Sequence, residues 1–215
     1  MTGVLSVLAG LSPRPLTFVS SSSAELTTNG TSLTITAPAG ILNGDRMYVV
    51  LNSDANETTS TATLAGWTSV GAYNANNEHM LILSKTASSE SGSYTFLFNG
   101  TAQWGGAIVV YRGGQGLTDV VGTFTLTTGG SANITTGASI TPTTTGTLLF
   151  FGVRLSDAAI TVTTPPVGMT SRILDIDRPA RFVYDLALQA ATATGTKTLT
   201  WSNSRSTIGV LVQIK

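Results

Sequence analysis

The chain has 215 residues and no formal net charge, and only 10% of its residues are Asp, Glu, Lys or Arg, far below the roughly 25% of an ordinary soluble domain. So few cations argue against nucleic acid as the main partner, because that affinity comes largely from neutralising phosphates. The absence of Cys removes disulfides and thiolate metal sites, and no apolar run of about 20 residues is present to span a membrane as a helix.

Thr, Ser, Gly and Asn stand where charges would be, and Thr with the β-branched aliphatics favours strands. The expected class is all-β, with length for one large domain or two small ones. Met1 to Ala24 reads as an N-terminal arm, followed by a β-sandwich domain over residues 25–215. Val4, Leu8 and Leu11 make a short apolar stripe that Pro13 and Pro15 end. No Lys or Arg precedes that stripe, so a secretory signal is not expected. Ser20 to Ser23 reads as a linker. The arm is expected either to hang loosely, to form a first edge strand, or to pack on a neighbouring subunit.

Strand signals then follow at short intervals. Ser32 to Thr36 alternates with Leu33 and Ile35 inward, and Asn43-Gly44 marks a turn. Met47 to Leu51 is continuously apolar. Asn52 to Thr63 reads as an exposed polar loop. A strand opens at Gly66-Trp67-Thr68, Asn74 to Asn77 turns, and Met80 to Leu83 is a buried strand. In Gly92 to Arg112 the aromatics Tyr94, Phe96 and Phe98 share one face by their period of two. Asn99-Gly100 predicts a hairpin turn into the strand Ala107 to Tyr111. That strand is apolar at every position, as expected where both faces are covered. Beyond a glycine-rich turn at Gly113 to Gly116, strands are predicted around Thr123–Thr127, Leu148–Leu155, Thr161–Thr163, Met169–Leu174 and Arg181–Leu188, with a closing pair in Gly195 to Lys215.

The second half echoes the first with a shift of about 102–104 residues. Met47–Leu51 matches Leu148–Val153, Ala65–Ser69 matches Val167–Ser171, and Gly92–Arg112 matches Gly195–Lys215. These define pseudo-repeats 38–112 and 140–215, each of about five strands. One such block buries one face poorly. Two can cover each other, as in an antiparallel, jelly-roll-like β-sandwich; two tandem β-domains are the alternative.

The series GDRMYVVLNSD, LAGWTSVG, LILSKTASSESGSYTFLF and GGAIVVYRGG, with Pro165 to Thr170 as a PPxGMT-like turn, resembles a β-sandwich module of bacteriophage and bacterial surface proteins. The resemblance covers about Pro38 to Lys215. It implies a virion surface component, such as a capsid decoration or head-fibre protein, located on the capsid surface, with the major capsid protein or other virion proteins as partners. Homo-oligomers with three-fold assembly are the expectation from how phage jelly rolls associate. A glycan- or receptor-binding module of a tail, fibre or bacterial surface is the alternative. The motifs are turn and core signatures and bring no catalytic residues.

No catalytic residue, cofactor or metal site is expected. His79 is the single histidine, too little for a zinc site or a Ser-His-Asp relay. Asp175 and Asp177 lie on one side of an extended chain and with Asp185 could offer calcium its oxygens; Arg172, Arg178 and Arg181 favour an ion-pair cluster instead. Paired carboxylates also hydrolyse glycans, but Asp and Glu fall mainly in predicted loops. Trp67 and Trp201 read as packing residues. Trp104 and Gln103, in the predicted hairpin loop, and Tyr73 and Asn76, at a turn, are the candidate contact residues. The loop Asp54 to Thr61 joins them, since loops on rigid scaffolds carry function.

Overall fold

The computed structural model describes residues 16–53, 62–75, 78–114, 118–128, 133–154, 160–177 and 179–215. Within them the chain is strand and turn throughout. The first half contains β1 (Thr17–Glu25), β2 (Gly30–Thr36), β3 (Arg46–Ser53), β4 (Ala62–Thr63), β5 (Thr68–Ala75), β6 (Glu78–Thr86), β7 (Ser93–Ala102) and β8 (Trp104–Arg112). The second contains β9 (Thr118–Val121), β10 (Thr125–Thr127), β11 (Ile134–Gly137), β12 (Gly146–Arg154), β13 (Val162–Thr164), β14 (Thr170–Asp175), β15 (Ala180–Leu188), β16 (Lys197–Trp201) and β17 (Thr207–Ile214). All pairings are antiparallel.

The first half folds into two sheets, β1-β8-β3-β6-β5 and β2-β7-β4. The second half folds into β10-β17-β12-β15-β14 and β11-β16-β13, with β9 also on β17. Each order in the second half is that of the first with every strand number raised by nine. β9 and β10 together fill the edge lane beside β17 that β1 fills beside β8. The irregularities correspond too: β5 shifts register between Ser69 and Gly71, and β14 between Ser171 and Ile173. Gly66 and Gly168, in the Gly-Trp-Thr and Gly-Met-Thr turns just before these strands, both take positive φ, at 83° and 76°, where a side chain would be strained.

The layers explain the hydrophobic pattern. Leu33, Ile35, Val49, Leu51, Phe96 and Ile108 fill the space between the two sheets of the first half. Phe150, Phe182, Leu199, Trp201 and Leu211 do the same in the second. A third core, with Tyr48, Val50, Ile82, Val109, Phe151, Val183 and Val210, lies between the two larger sheets. The order of layers is therefore small sheet, large sheet, large sheet, small sheet. β3, β8, β12 and β17 lie in the two middle layers, so both of their faces are covered and their centres are continuously apolar, with polar residues towards the ends. β2, β7 and β16 lie outside and alternate. Contacts of β1 with β14 and β8 with β15 at one margin of the central interface are answered by β5 with β9 at the other.

Several expectations are corrected. Each half is a two-layer, jelly-roll-like sandwich of about eight strands; the expected picture of two single-layer blocks closing on each other does not hold. Gly92–Arg112 is not a hairpin. β7 runs straight through Asn99-Gly100 because its buried face continues to Ala102, and at Gln103 the chain changes sheets. β16 and β17 likewise lie in different sheets. Ser20 to Ser23 is no linker: it belongs to β1, where Ser20 Oγ donates to Ala39 O at 2.5 Å and Ser22 Oγ to Thr36 O at 2.6 Å. The polar run can be strand because neighbouring carbonyls satisfy its hydroxyls. The arm expected over 1–24 thus includes an edge strand from Thr17, while residues 1–15 lie outside the described residues. Asn52 and Ser53, expected in an exposed loop, are the buried end of β3.

The turn motifs close on one another. Asp45 accepts from Arg112 Nε at 2.9 Å and Nη2 at 2.8 Å, and from the Leu42 amide at 2.8 Å. Lys85 Nζ and Tyr94 Oη donate to Glu90 Oε2 at 2.9 and 2.8 Å. Gly-Asp, Lys-Thr-Ala, Ser-Tyr-Thr and Tyr-Arg-Gly are thus clasps at one end of the first sandwich.

Candidate functional site

The opposite end of the molecule holds the ends of β1, β3, β5, β7 and β14 and the starts of β6, β8 and β15. Trp104, expected in an exposed loop, opens β8 and is fully buried. Its ring stacks on Phe98 with centroids 3.7 Å apart and planes 2° from parallel. It packs because β7 and β8 face each other across the sandwich, so it offers no surface contact. Gln103 is half-buried and donates to Thr27 O at 2.8 Å, tying the sheet crossing to the β1–β2 turn. Tyr73 is half-buried in β5 and stacks on Phe124 at 6.5 Å. Asn76 and residues 54–61 lie outside the described residues. Trp201 is buried, and Trp67 packs edge-on against Tyr94 and Phe96 at 5.5 and 5.4 Å. His79 is buried in β6, opposite Ser53 and Asn74.

The densest charged group at this end lies where the two halves meet. The β14–β15 register sets Asp175 beside Arg181, and Arg181 is completely buried. Its Nη2 binds Asp175 Oδ2 and lies 3.8 Å from Glu25 Oε2 of β1, while Nη1 donates to Pro179 O at 2.9 Å. Burial lowers the pKa of Arg181, against the pull of Asp175 and Glu25. Burial and then the nearby Asp175 carboxylate raise that of Glu25. Carboxylate oxygens of Glu25, Asp175 and Asp177 lie within 4.8 Å of one another, beside a shallow groove of about 410 Å³ lined by Ser23 and residues 172–177.

Asp185 does not join them, which corrects the set expected for calcium. It faces Thr170 in the register and instead accepts from Arg172 Nε at 2.8 Å and Tyr111 Oη at 2.9 Å. The Tyr111 hydroxyl is pushed well above its ordinary pKa by burial and then by the Asp185 charge, so it stays a donor. Arg172 also lies over the Phe18 ring, 4.4 Å from its centroid. Arg178 lies outside the described residues. Glu25 supplies the third carboxylate, and Arg181 already provides the cationic centre for it. The group works as an inter-sheet clamp.

A second buried cation, Arg154, ends β12 and lies over the Trp201 ring at 5.6 Å. It escaped the sequence reading, although it continues the inward alternation of Leu148 and Phe150. Glu25 escaped because its strand was read as a linker. Tyr111 was read as one more apolar position.

Compared with protein-family profiles, with curated proteins and with solved structures, the chain finds no match in any of the three. No helix among the described residues is long and apolar enough to cross a membrane.

Proposed function

We propose that the chain is a bacteriophage virion structural protein, seated on the outer surface of the capsid shell as a decoration or cement protein and acting as a homo-oligomer. The carrying observation is the use of its charged and turn residues. The motifs that resemble phage surface modules, Gly44-Asp45 and Tyr111-Arg112-Gly113, meet in the bidentate Asp45–Arg112 clasp. Asp185 and Arg181 reach from one large sheet to the other, through Tyr111 and Glu25. Side chains spent on holding four layers together suit a durable scaffold element, and weak contacts repeated over a symmetric shell then give firm attachment. The halves are further read as copies of one ancestral eight-strand block. The glycan- or receptor-binding alternative loses Trp104, its strongest candidate for stacking on a sugar.

The test is quantitative analysis of purified virions. The expected result is a fixed ratio of this chain to the major shell protein and release of intact chain on mild shell disruption. Absence from virions overturns the reading. A glycan array probed with the intact chain tests the alternative.

A further inference from the structure

Arg154 carries an unbalanced charge inside the second sandwich. The residue is 1% exposed. Its Nη2 donates to Asn203 O at 2.8 Å, while Nε and Nη1 are buried without a hydrogen-bond partner among the described residues. Burial and then the like charge of Arg205 depress its pKa, so no described neighbour offsets it. Trp201 gives its ring face, an attraction far short of a counter-ion. Such a group is costly to bury, and buried donors in native proteins are met by a partner, water or ion.

The first half shows that the fold does not need this cation. There the register sets Ser53 against Trp104, and Trp104 stacks on Phe98. In the second half it sets Arg154 against Thr207, and Trp201 lies beneath the guanidinium. A neutral aromatic stack at one end is replaced by an arginine with two unused donors at the other. Asn203 and Arg205 are exposed, so the buried guanidinium lies next to residues that face solvent, one of them a second cation.

We propose that Arg154 and Arg205 hold an oxyanion, either the carboxylate of an acidic side chain on a partner or a phosphate group. The anion accepts from one of the unused donors of Arg154, Nε or Nη1, and offsets the repulsion between the two guanidiniums. This site stands apart from the capsid reading: it holds or fails whatever the chain attaches to.

The test is thermal unfolding of the full chain in rising sodium phosphate or sodium acetate, against sodium chloride at equal ionic strength. The expected result is a Tm rise of about 3 °C or more over chloride at saturation, as a ligand that binds the native state alone should give. The rise should be lost in Arg154→Met and weakened in Arg205→Gln, which also serves if Arg154→Met fails to fold. A response to acetate identifies a carboxylate site, and a response to phosphate alone a phosphate site. No rise over chloride, or an equal rise in both variants, overturns the proposal. So does a rise seen only in Asp157→Asn, since the chain's own acid, three residues beyond Arg154, would then be the occupant.

Discussion

The two margins of the central interface solve one packing problem with different chemistry. At the β1–β14 margin the contacts are polar and ionic: Arg181 and Asp185, paired within their own sheet with Asp175 and Arg172, meet Glu25 of β1 and the Tyr111 hydroxyl of β8 from the other sheet. At the β5–β9 margin they are apolar: Phe124 stacks on Tyr73 and lies against Gly71. Both margins flank the same core of Val, Ile and aromatic residues. That core supplies adhesion but little directionality, because the hydrophobic effect scales with area and not with angle. Directional bonds at one margin fix how the sheets lie on each other, and the other margin needs only to exclude water. The ionic margin should therefore be brittle, losing much when one partner is removed, and the aromatic margin should respond to volume.

The largest effect is expected from Asp175→Ala. It leaves the buried Arg181 guanidinium without its main counter-charge, which costs about 3–5 kcal/mol when one member of a buried pair is lost. Arg181→Met should cost less, because the acids it leaves unpaired, Asp175 and Glu25, are partly solvated whereas the guanidinium is fully buried. Met80 stands at the corresponding register position of the first half, opposite Asn52 as Arg181 is opposite Val153. Urea unfolding of both variants decides; equal losses would mean that the guanidinium is not paired as described.

Gly71→Ala probes the aromatic margin. A Cβ there would meet Phe124 at 2.8 and 2.9 Å, and overpacking of this kind costs about 1–3 kcal/mol. The loss should be the same at pH 5 and pH 8, since no ionisable group takes part. Tyr111→Phe, at the ionic margin, should cost about 1.5 kcal/mol, the usual share of a hydrogen bond to a charged acceptor. Urea unfolding of both variants reads the losses; no loss in Tyr111→Phe would show that the hydroxyl does not hold Asp185 as described, and a pH-dependent loss in Gly71→Ala would show that the margins are not chemically distinct.

What was legible in the sequence follows the reach of each signal. The alternation of Tyr94, Phe96 and Phe98 placed them inward correctly, because a period of two is a property of the strand itself. The unbroken run Ala107 to Tyr111 rightly implied cover on both faces. Which sheets do the covering depends on pairing between distant strands, and no local pattern carries that. Asn99-Gly100 misled because the dipeptide permits a turn without requiring one, and the buried positions of β7 run past it to Ala102. Ser20 to Ser23 misled because serine resembles linker until its hydroxyls find Ala39 O and Thr36 O. At the charged site the sequence offered Asp175, Arg172 and Arg181 through their closeness in the chain. Glu25 and Tyr111 arrive from the other half and left no trace in spacing.

The smallest effect tests the sign of one charge in the clamp. Glu25 lies 3.8 Å from Arg181, yet burial and then Asp175 together outweigh that attraction and raise its pKa. A carboxyl with a raised folded pKa adds stability while protonated, and that stability is lost as the pH rises through the folded value. Glu25→Gln removes the penalty and keeps the shape. It should be more stable than the parent by about 0.5 kcal/mol at pH 7, a modest sum because the group is partly solvated. The difference should vanish below the ordinary glutamate range, where the parent is protonated folded and unfolded alike. Paired melting curves from pH 3 to 8 read this directly. A variant less stable than the parent at pH 7 would show that the pull of Arg181 prevails and that Glu25 belongs to the clamp as a full ionic partner.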